Sequence, residues 1–303
     1  MIRIDSVTKT FDTVRSLDSV SFLVEKGSIF GLIGSNGSGK STLLRIMCGI
    51  YRPNEGGVYY EGMPVWENTD VKKNIVYLSD DQYFIPHSTP LGMADLYASV
   101  YPDFSREKFR EYLKMFGLDE KRRINTFSKG MQKQVSFLLG LSTGTDYLFC
   151  DETLDGLDPV MRQTVRKIIA AEVADRGMCV VFASHNLKEL EDICDHVALL
   201  HKGELLFEAG LDDIKLGIHK VQVSFAKDKL EEAKADLEKL NIVSLEQRGS
   251  LFTLVVRGNE NEIEDYIMAR NPLFTEFIPL TLEEIFIAEM EERGYEFHEE
   301  IIG

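Results

Sequence analysis

Residues 29–33 run Ile-Phe-Gly-Leu-Ile with no polar alternation, and the same unbroken apolar pattern returns at 147–150, Tyr-Leu-Phe-Cys, and at 180–183, Val-Val-Phe-Ala. Short runs of this kind predict strands buried on both faces, as in parallel sheets covered by helices. The helical period falls between them. Residues 42–47 read as a helix soon after the first run, Phe109, Tyr112, Leu113 and Phe116 form one apolar stripe at i, i+3, i+4 and i+7, and residues 131–139 predict a further helix. Strands alternating with helices place this part of the chain in the α/β class.

Beyond Gly210 the pattern changes. Residues 221–225 alternate as a half-buried strand, 229–240 are helical, and 242–246 and 251–256 read as strands around the turn at Arg248-Gly249-Ser250. A helix at 260–269 and a strand at 275–280 complete a β-α-β-β-α-β order, which predicts a small ferredoxin-like α+β unit. Thr281 and Glu284 are spaced as a capping box, with Leu280 and Ile285 placed as a hydrophobic staple, so a last helix should run to about Arg293. The expected division is residues 1–215 and 216–303.

Composition agrees with two globular units. The chain has 303 residues, and domains take ~150 residues each. No apolar run approaches the ~18 residues that suggest a membrane span, and the first residues lack the pattern of a secretory signal, so residence in the cytosol is expected. Cys48, Cys150, Cys179 and Cys194 are scattered without metal spacing, which predicts reduced core thiols. The net charge of −16 is uneven, −5 over residues 1–210 and −11 over 211–303. An acidic surface repels nucleic-acid phosphates and anionic lipid headgroups, which argues against direct nucleic-acid binding.

The chemistry is concentrated in the first unit. Gly34-Ser35-Asn36-Gly37-Ser38-Gly39-Lys40-Ser41 fits the phosphate-loop pattern G-x-x-x-x-G-K-[ST], between a predicted strand and a predicted helix as that motif requires. Glycines let the loop close so that backbone N–H groups point inward, and the helix N-terminus favours an anion. Lys40 is suited to the β- and γ-phosphates of ATP, and the Ser41 hydroxyl to Mg²⁺. Asp151-Glu152 ends an apolar run, where a buried strand delivers carboxylates at its C-terminal edge. Asp151 would hold Mg²⁺ through water, and Glu152 would act as general base on the attacking water. His185 ends the run at 180–184 and is a candidate for the γ-phosphate.

With Ser128-Lys129-Gly130-Met131 between the loop and the carboxylates, residues 1 to about 215 resemble the ATP-binding cassette (ABC) ATPases. The resemblance implies a phosphate-loop core with a helical subdomain at about 85–140. Phe11 falls where the family stacks an aromatic on adenine, and Thr42 joins the nucleotide-binding residues. Ser128 and Gly130 match the family's LSGGQ signature, while Lys129 and Met131 depart from it; Ser128, Gly130 and Met131 would serve the ATP of an opposing subunit. Leu157-Asp158 matches a loop that touches that subunit, and His185 matches the switch histidine.

One departure concerns coupling. Asp80 stands where the family has Gln or Glu sensing Mg²⁺, and Gln82, two residues on, is the alternative. The surface from 85 to 101 corresponds to the family's receiving site for a coupling helix, with Tyr83, Phe84 and Tyr97 as an exposed socket. Residues 279–286, Pro-Leu-Thr-Leu-Glu-Glu-Ile-Phe, resemble the tail of bacterial exporter ATPases with a separately encoded permease. The implied protein is an ATP-hydrolysing subunit using Mg²⁺, acting as a homodimer or with a second ABC ATPase, peripheral on the cytoplasmic face of a transmembrane permease. Two alternatives are a soluble cassette acting on ribosomes or DNA, disfavoured by the acidic charge and single cassette, and a weakly hydrolysing regulatory protein, motivated by Asp80.

Overall fold

The structure is a computed structural model describing residues 1–153 and 159–292; Leu157, Asp158 and Arg293 lie outside the described residues. Two compact units divide it, Met1–Glu208 and Ala209–Gly303.

The first unit opens with the antiparallel strands β1 (Ile2–Phe11) and β2 (Val14–Val24), followed by β3 (Ile29–Ile33), helix α1 (Lys40–Met47), β4 (Glu55–Tyr60) and β5 (Met63–Pro64). A short α2 (Thr69–Lys72) precedes β6 (Ile75–Leu78), and three helices follow, α3 (Pro90–Val100), α4 (Arg106–Met115) and α5 (Lys129–Leu141). Then come β7 (Tyr147–Asp151), α6 (Pro159–Arg176), β8 (Cys179–Ser184), α7 (Leu187–Glu191), β9 (His196–His201) and β10 (Glu204–Gly210).

One sheet has the order β2-β1-β4-β5 and the other β10-β9-β3-β8-β7-β6. The pairs β3·β8, β3·β9, β7·β8 and β6·β7 are parallel, as the unbroken apolar runs require, and all residues of β3, β7 and β8 are buried. Leu43, Leu44, Ile46 and Met47 of α1 share a single core with residues of both sheets, where Phe22 of β2 and Phe30 of β3 stack at 5.2 Å. The cysteines are free and buried, and burial pushes the thiols of Cys150 and Cys179 up to about 12.

Two local expectations are corrected. Helix α5 begins at Lys129 rather than at residue 131, because the Ser128 hydroxyl accepts from the Met131 N–H at 3.2 Å and caps the helix two residues earlier. Tyr97 is not an exposed socket residue: its ring packs on Tyr101 at 5.9 Å and on Phe104 at 6.2 Å, whereas Tyr83 is 80% exposed.

The second unit contains α8 (Leu211–Gly217), β11 (Ile218–Ser224), α9 (Leu230–Leu237), β12 (Ile242–Arg248), β13 (Leu251–Arg257), α10 (Glu260–Met268), β14 (Phe274–Ile278) and α11 (Leu282–Glu292). Its sheet order is β12-β13-β11-β14 with every pair antiparallel, the arrangement a split β-α-β unit takes. The capping box forms in both directions, Glu284 N–H to Thr281 Oγ1 at 3.2 Å and Thr281 N–H to Glu284 Oε2 at 3.0 Å. Leu280 and Ile285 meet in one buried cluster beside it.

Within the first unit, α4 is fastened to α6 through a buried carboxylate. Glu172 accepts from Lys108 Nζ at 2.8 Å, from the Tyr112 hydroxyl at 3.0 Å and from Arg176 Nε at 2.6 Å. Burial by itself raises a carboxyl's pKa, but these three donors outweigh it and hold Glu172 below its ordinary value. A depressed carboxyl stabilises the fold above its unfolded pKa and loses that contribution as pH falls through the folded one. Glu172→Gln is therefore expected to lower stability by about 1–3 kcal/mol at neutral pH, with the gap narrowing in acid; urea titrations at both pH values measure it.

Candidate active site

The parallel register determines where the predicted groups meet. Leu32 pairs with Ala183, and Ala183 with Asp151, so β3, β8 and β7 end side by side. The residues that follow these ends are the loop from Gly34, His185 and Glu152. Carboxyl ends of parallel strands are where ligands bind in open α/β sheets.

The loop is packed too tightly for side chains at two of its glycines. A Cβ on Gly34 would lie 2.4 Å from the Leu200 carbonyl oxygen, and one on Gly39 would lie 2.6 Å from that of Ser16, with φ of +105° at Gly39. Gly39 precedes α1 and supplies no side-chain cap, which leaves the first-turn N–H groups facing the loop. Lys40 is 5% exposed and donates to the carbonyls of Gly34 at 2.6 Å and Ser35 at 3.1 Å. Ser35 also accepts from the Ser38 N–H at 3.1 Å. The Ser38 hydroxyl is buried against Gly34 and has no hydrogen-bond partner among the described residues. The Thr42 hydroxyl accepts from Ser16 at 3.0 Å, tying α1 to β2.

Asp151 is 3% exposed, and both its oxygens are held. Oδ1 accepts from Ser41 Oγ at 3.0 Å, and Oδ2 from the Tyr77 hydroxyl at 2.9 Å. Ser41 and Asp151 thus present two oxygens to one point, a donor set that suits a hard cation keeping most of its waters. Glu152 turns sharply: its N–H still pairs with the Ala183 carbonyl at 2.9 Å, its φ is +50°, and its Oε1 lies 3.2 Å from His185 Nδ1.

The remaining predicted residues lie apart from this cluster or bridge to it. Phe11 ends β1, 40% exposed, edge-on to Tyr51 at 5.6 Å and under Lys9 Nζ at 4.9 Å. Ser128 is exposed at the start of α5, followed by Gly130 and Met131. Asp80, past the end of β6, accepts from Lys133 Nζ at 3.0 Å. Gln82 lines a cleft of about 400 Å³ with Tyr83, Phe84, His87 and Gln132, and its buried Nε2 has no hydrogen-bond partner among the described residues.

Comparison with known proteins accounts for this set. The profile described as ABC transporter matches residues 17–155. The ABC transporter ATP-binding protein YtrB of Bacillus subtilis (strain 168) is 30% identical over 288 residues, covering 95% of this chain and 97% of its own. The chain belongs to the ABC transporter ATP-binding proteins. In fold, the cassette is similar to the dimeric structure of MJ0796, a bacterial ABC transporter cassette, with a TM-score of 0.63 at 24% identity over 70% of this chain and 99% of that one. It is also similar to the post-hydrolysis MJ0796 dimer bound to ADP and Pi, with a TM-score of 0.63 at 23% identity over the same shares of each chain. Like its family, this ABC protein is an ATPase that binds ATP.

Tyr77 and Lys133 are the contributors to the ABC site that sequence reasoning missed. Tyr77 pairs in register with Phe149, two residues before Asp151 on the same face of β7, so its ring reaches the carboxylate diagonally. Burial, and then the Asp151 charge beside it, push the Tyr77 phenol well above its ordinary pKa, so it stays protonated and donates. A tyrosine in an apolar strand carries no sign of this until its cross-strand neighbour is known. Tyr77→Phe removes one donor from a buried carboxylate and is expected to cost about 1–3 kcal/mol, read as a lower urea midpoint at unchanged m-value.

Proposed function

We propose that this ABC ATPase hydrolyses ATP at the edge formed by β3, β7 and β8 and uses the resulting opening of a cassette dimer to drive a separate membrane permease in export. The observation that carries the reading is the arrangement of Glu152, His185 and the Ser41–Asp151 pair at neighbouring strand ends, opposite an uncapped helix N-terminus. Glycine-lined N–H groups of residues 34–42 and the Lys40 ammonium would bind the phosphates, and Phe11 would stack on adenine. Ser41 and Asp151 would hold Mg²⁺, which neutralises phosphate charge when bound. Asp80, or Gln82 two residues on, would serve as the coupling residue.

Glu152 is the base. Its carboxylate would take the proton of the attacking water, and His185, 3.2 Å from Oε1, would orient that carboxylate and meet the γ-phosphate. Charge stabilisation then falls to Lys40 and the loop N–H groups.

Two further features favour a paired cassette. The Ser128 face of α5 is exposed, with Gly130 and Met131 in the same first turn, and MJ0796, of the same fold, is dimeric. An exposed helix start of this kind suits the γ-phosphate of a nucleotide on an opposing subunit, either a second copy or another ABC ATPase. No helix among the described residues is long and apolar enough to cross a membrane, so a transmembrane permease would supply the pathway, with the cassette peripheral on its cytoplasmic face. The tail at 279–286 supports an exporter with a separate permease, and the net charge of −16 speaks against nucleic acid as the partner.

Glu152→Gln should reduce turnover to background while ATP still binds, and an ATP-dependent dimer should accumulate in light scattering; undiminished hydrolysis refutes the assignment. Ser128→Arg should leave nucleotide binding at Lys40 intact and abolish that dimer, which equilibrium sedimentation with and without ATP reads directly.

A further inference from the structure

Asp151 and Glu152 are chain neighbours, and each is tied back to the segment containing β6. Asp151 is tied by Tyr77. Glu152 is tied through Lys133 of α5, whose ammonium donates at once to the Glu152 carbonyl oxygen at 3.1 Å and to Asp80 Oδ1 at 3.0 Å. We propose that Lys133 and Asp80 are positioning residues for the general base: Lys133 holds the backbone turn of Glu152, and Asp80 holds Lys133. This rests on the role given to Glu152 above.

The turn needs holding. Glu152 has φ of +50°, a left-handed conformation that is unfavourable for a residue with a side chain. Strained backbone persists where its surroundings over-determine it. Three contacts do so here, the N–H to Ala183, the carboxylate to His185, and the carbonyl to Lys133. The first and last fix the peptide groups on either side of Cα, and so fix the direction in which the carboxylate leaves the chain. Losing the Lys133 donor frees one of those peptides and lets the base swing from the water it must address.

Asp80 explains why the donor stays in place. The Lys133 side chain is 18% exposed, and a partly buried ammonium is stabilised by a carboxylate where a neutral amide would leave it less compensated. The Asp80 carboxylate is therefore engaged with the signature-bearing helix rather than with the Ser41–Asp151 oxygens. It also gives movement of the segment after β6 a direct route to the general base, through a single side chain.

The test is steady-state ATP hydrolysis by the full chain at one protein concentration, with ATP and Mg²⁺ varied separately. Lys133→Met keeps the side-chain length and removes the donors; kcat should fall roughly ten- to a hundredfold, as for a misplaced catalytic group. The KM for ATP and the Mg²⁺ concentration giving half-maximal rate should stay within about twofold, since neither site is touched. Lys133→Arg should recover most of the loss. Asp80→Asn should lower kcat less than Lys133→Met does, and combining the two should be no worse than Lys133→Met alone, because both act through one contact. Unchanged kcat in Lys133→Met overturns the proposal. So does a shifted Mg²⁺ dependence in Asp80→Asn without one in Lys133→Met, which makes Asp80 a metal-side residue. If Lys133→Met fails to fold, by circular dichroism, Asp80→Asn at its exposed position decides by the same two readouts. An active Glu152→Gln defeats the functional assignment itself, whereas an inactive Glu152→Gln beside a fully active Lys133→Met defeats only this inference.

Discussion

Everything at the nucleotide site depends on the parallel register of three buried strands. Because Leu32, Ala183 and Asp151 are in line across β3, β8 and β7, the next residues of three distant chain segments emerge at the same edge. A slip of one residue would turn Asp151 to the other face of the sheet. These strands are apolar and buried on both faces, so an in–out alternation does not set their register; the packing of α1 against β3, β7 and β8 in one core helps to hold it.

The same burial creates an electrostatic problem that the edge resolves locally. A carboxylate as deeply placed as Asp151 must be satisfied, and it is, by Ser41 on one oxygen and Tyr77 on the other. Glu152 is handled differently. Its side chain stays partly open beside His185, while its backbone carries the constraint. Adjacent acids are thus held differently, Asp151 through both of its side-chain oxygens and Glu152 through its backbone and a single contact to His185.

The second unit is organised by local rules to a greater degree. Reciprocal Thr281–Glu284 bonds and the Leu280–Ile285 contact set the start of α11, and Glu284 extends to Lys220 of β11 at 2.5 Å. Alternating strands put Val221 and Val223 inward with Phe252 and Leu254. Most of the excess negative charge is carried in this part of the chain.

The sequence by itself determined the α/β class, the strand-loop-helix around Lys40, the acids at the end of β7, the split β-α-β order and the capping box, because each is written in contiguous residues with a period or spacing of its own. Helix limits were less legible. Ser128 marks the start of α5 in the sequence as in the structure, but the first helical residue is Lys129 rather than residue 131, because Lys129 and Gly130 carry no helical signal of their own and the cap alone sets the boundary. Tertiary structure alone decided that Tyr97 packs inward, that Tyr77 serves Asp151, and that Lys133 joins Asp80 to Glu152. Those contacts join residues separated by 19 to 74 positions wherever the last two are concerned. No local pattern encodes such a pairing, since a tyrosine or lysine acquires its partner only when strand register and helix packing bring the two chain segments together.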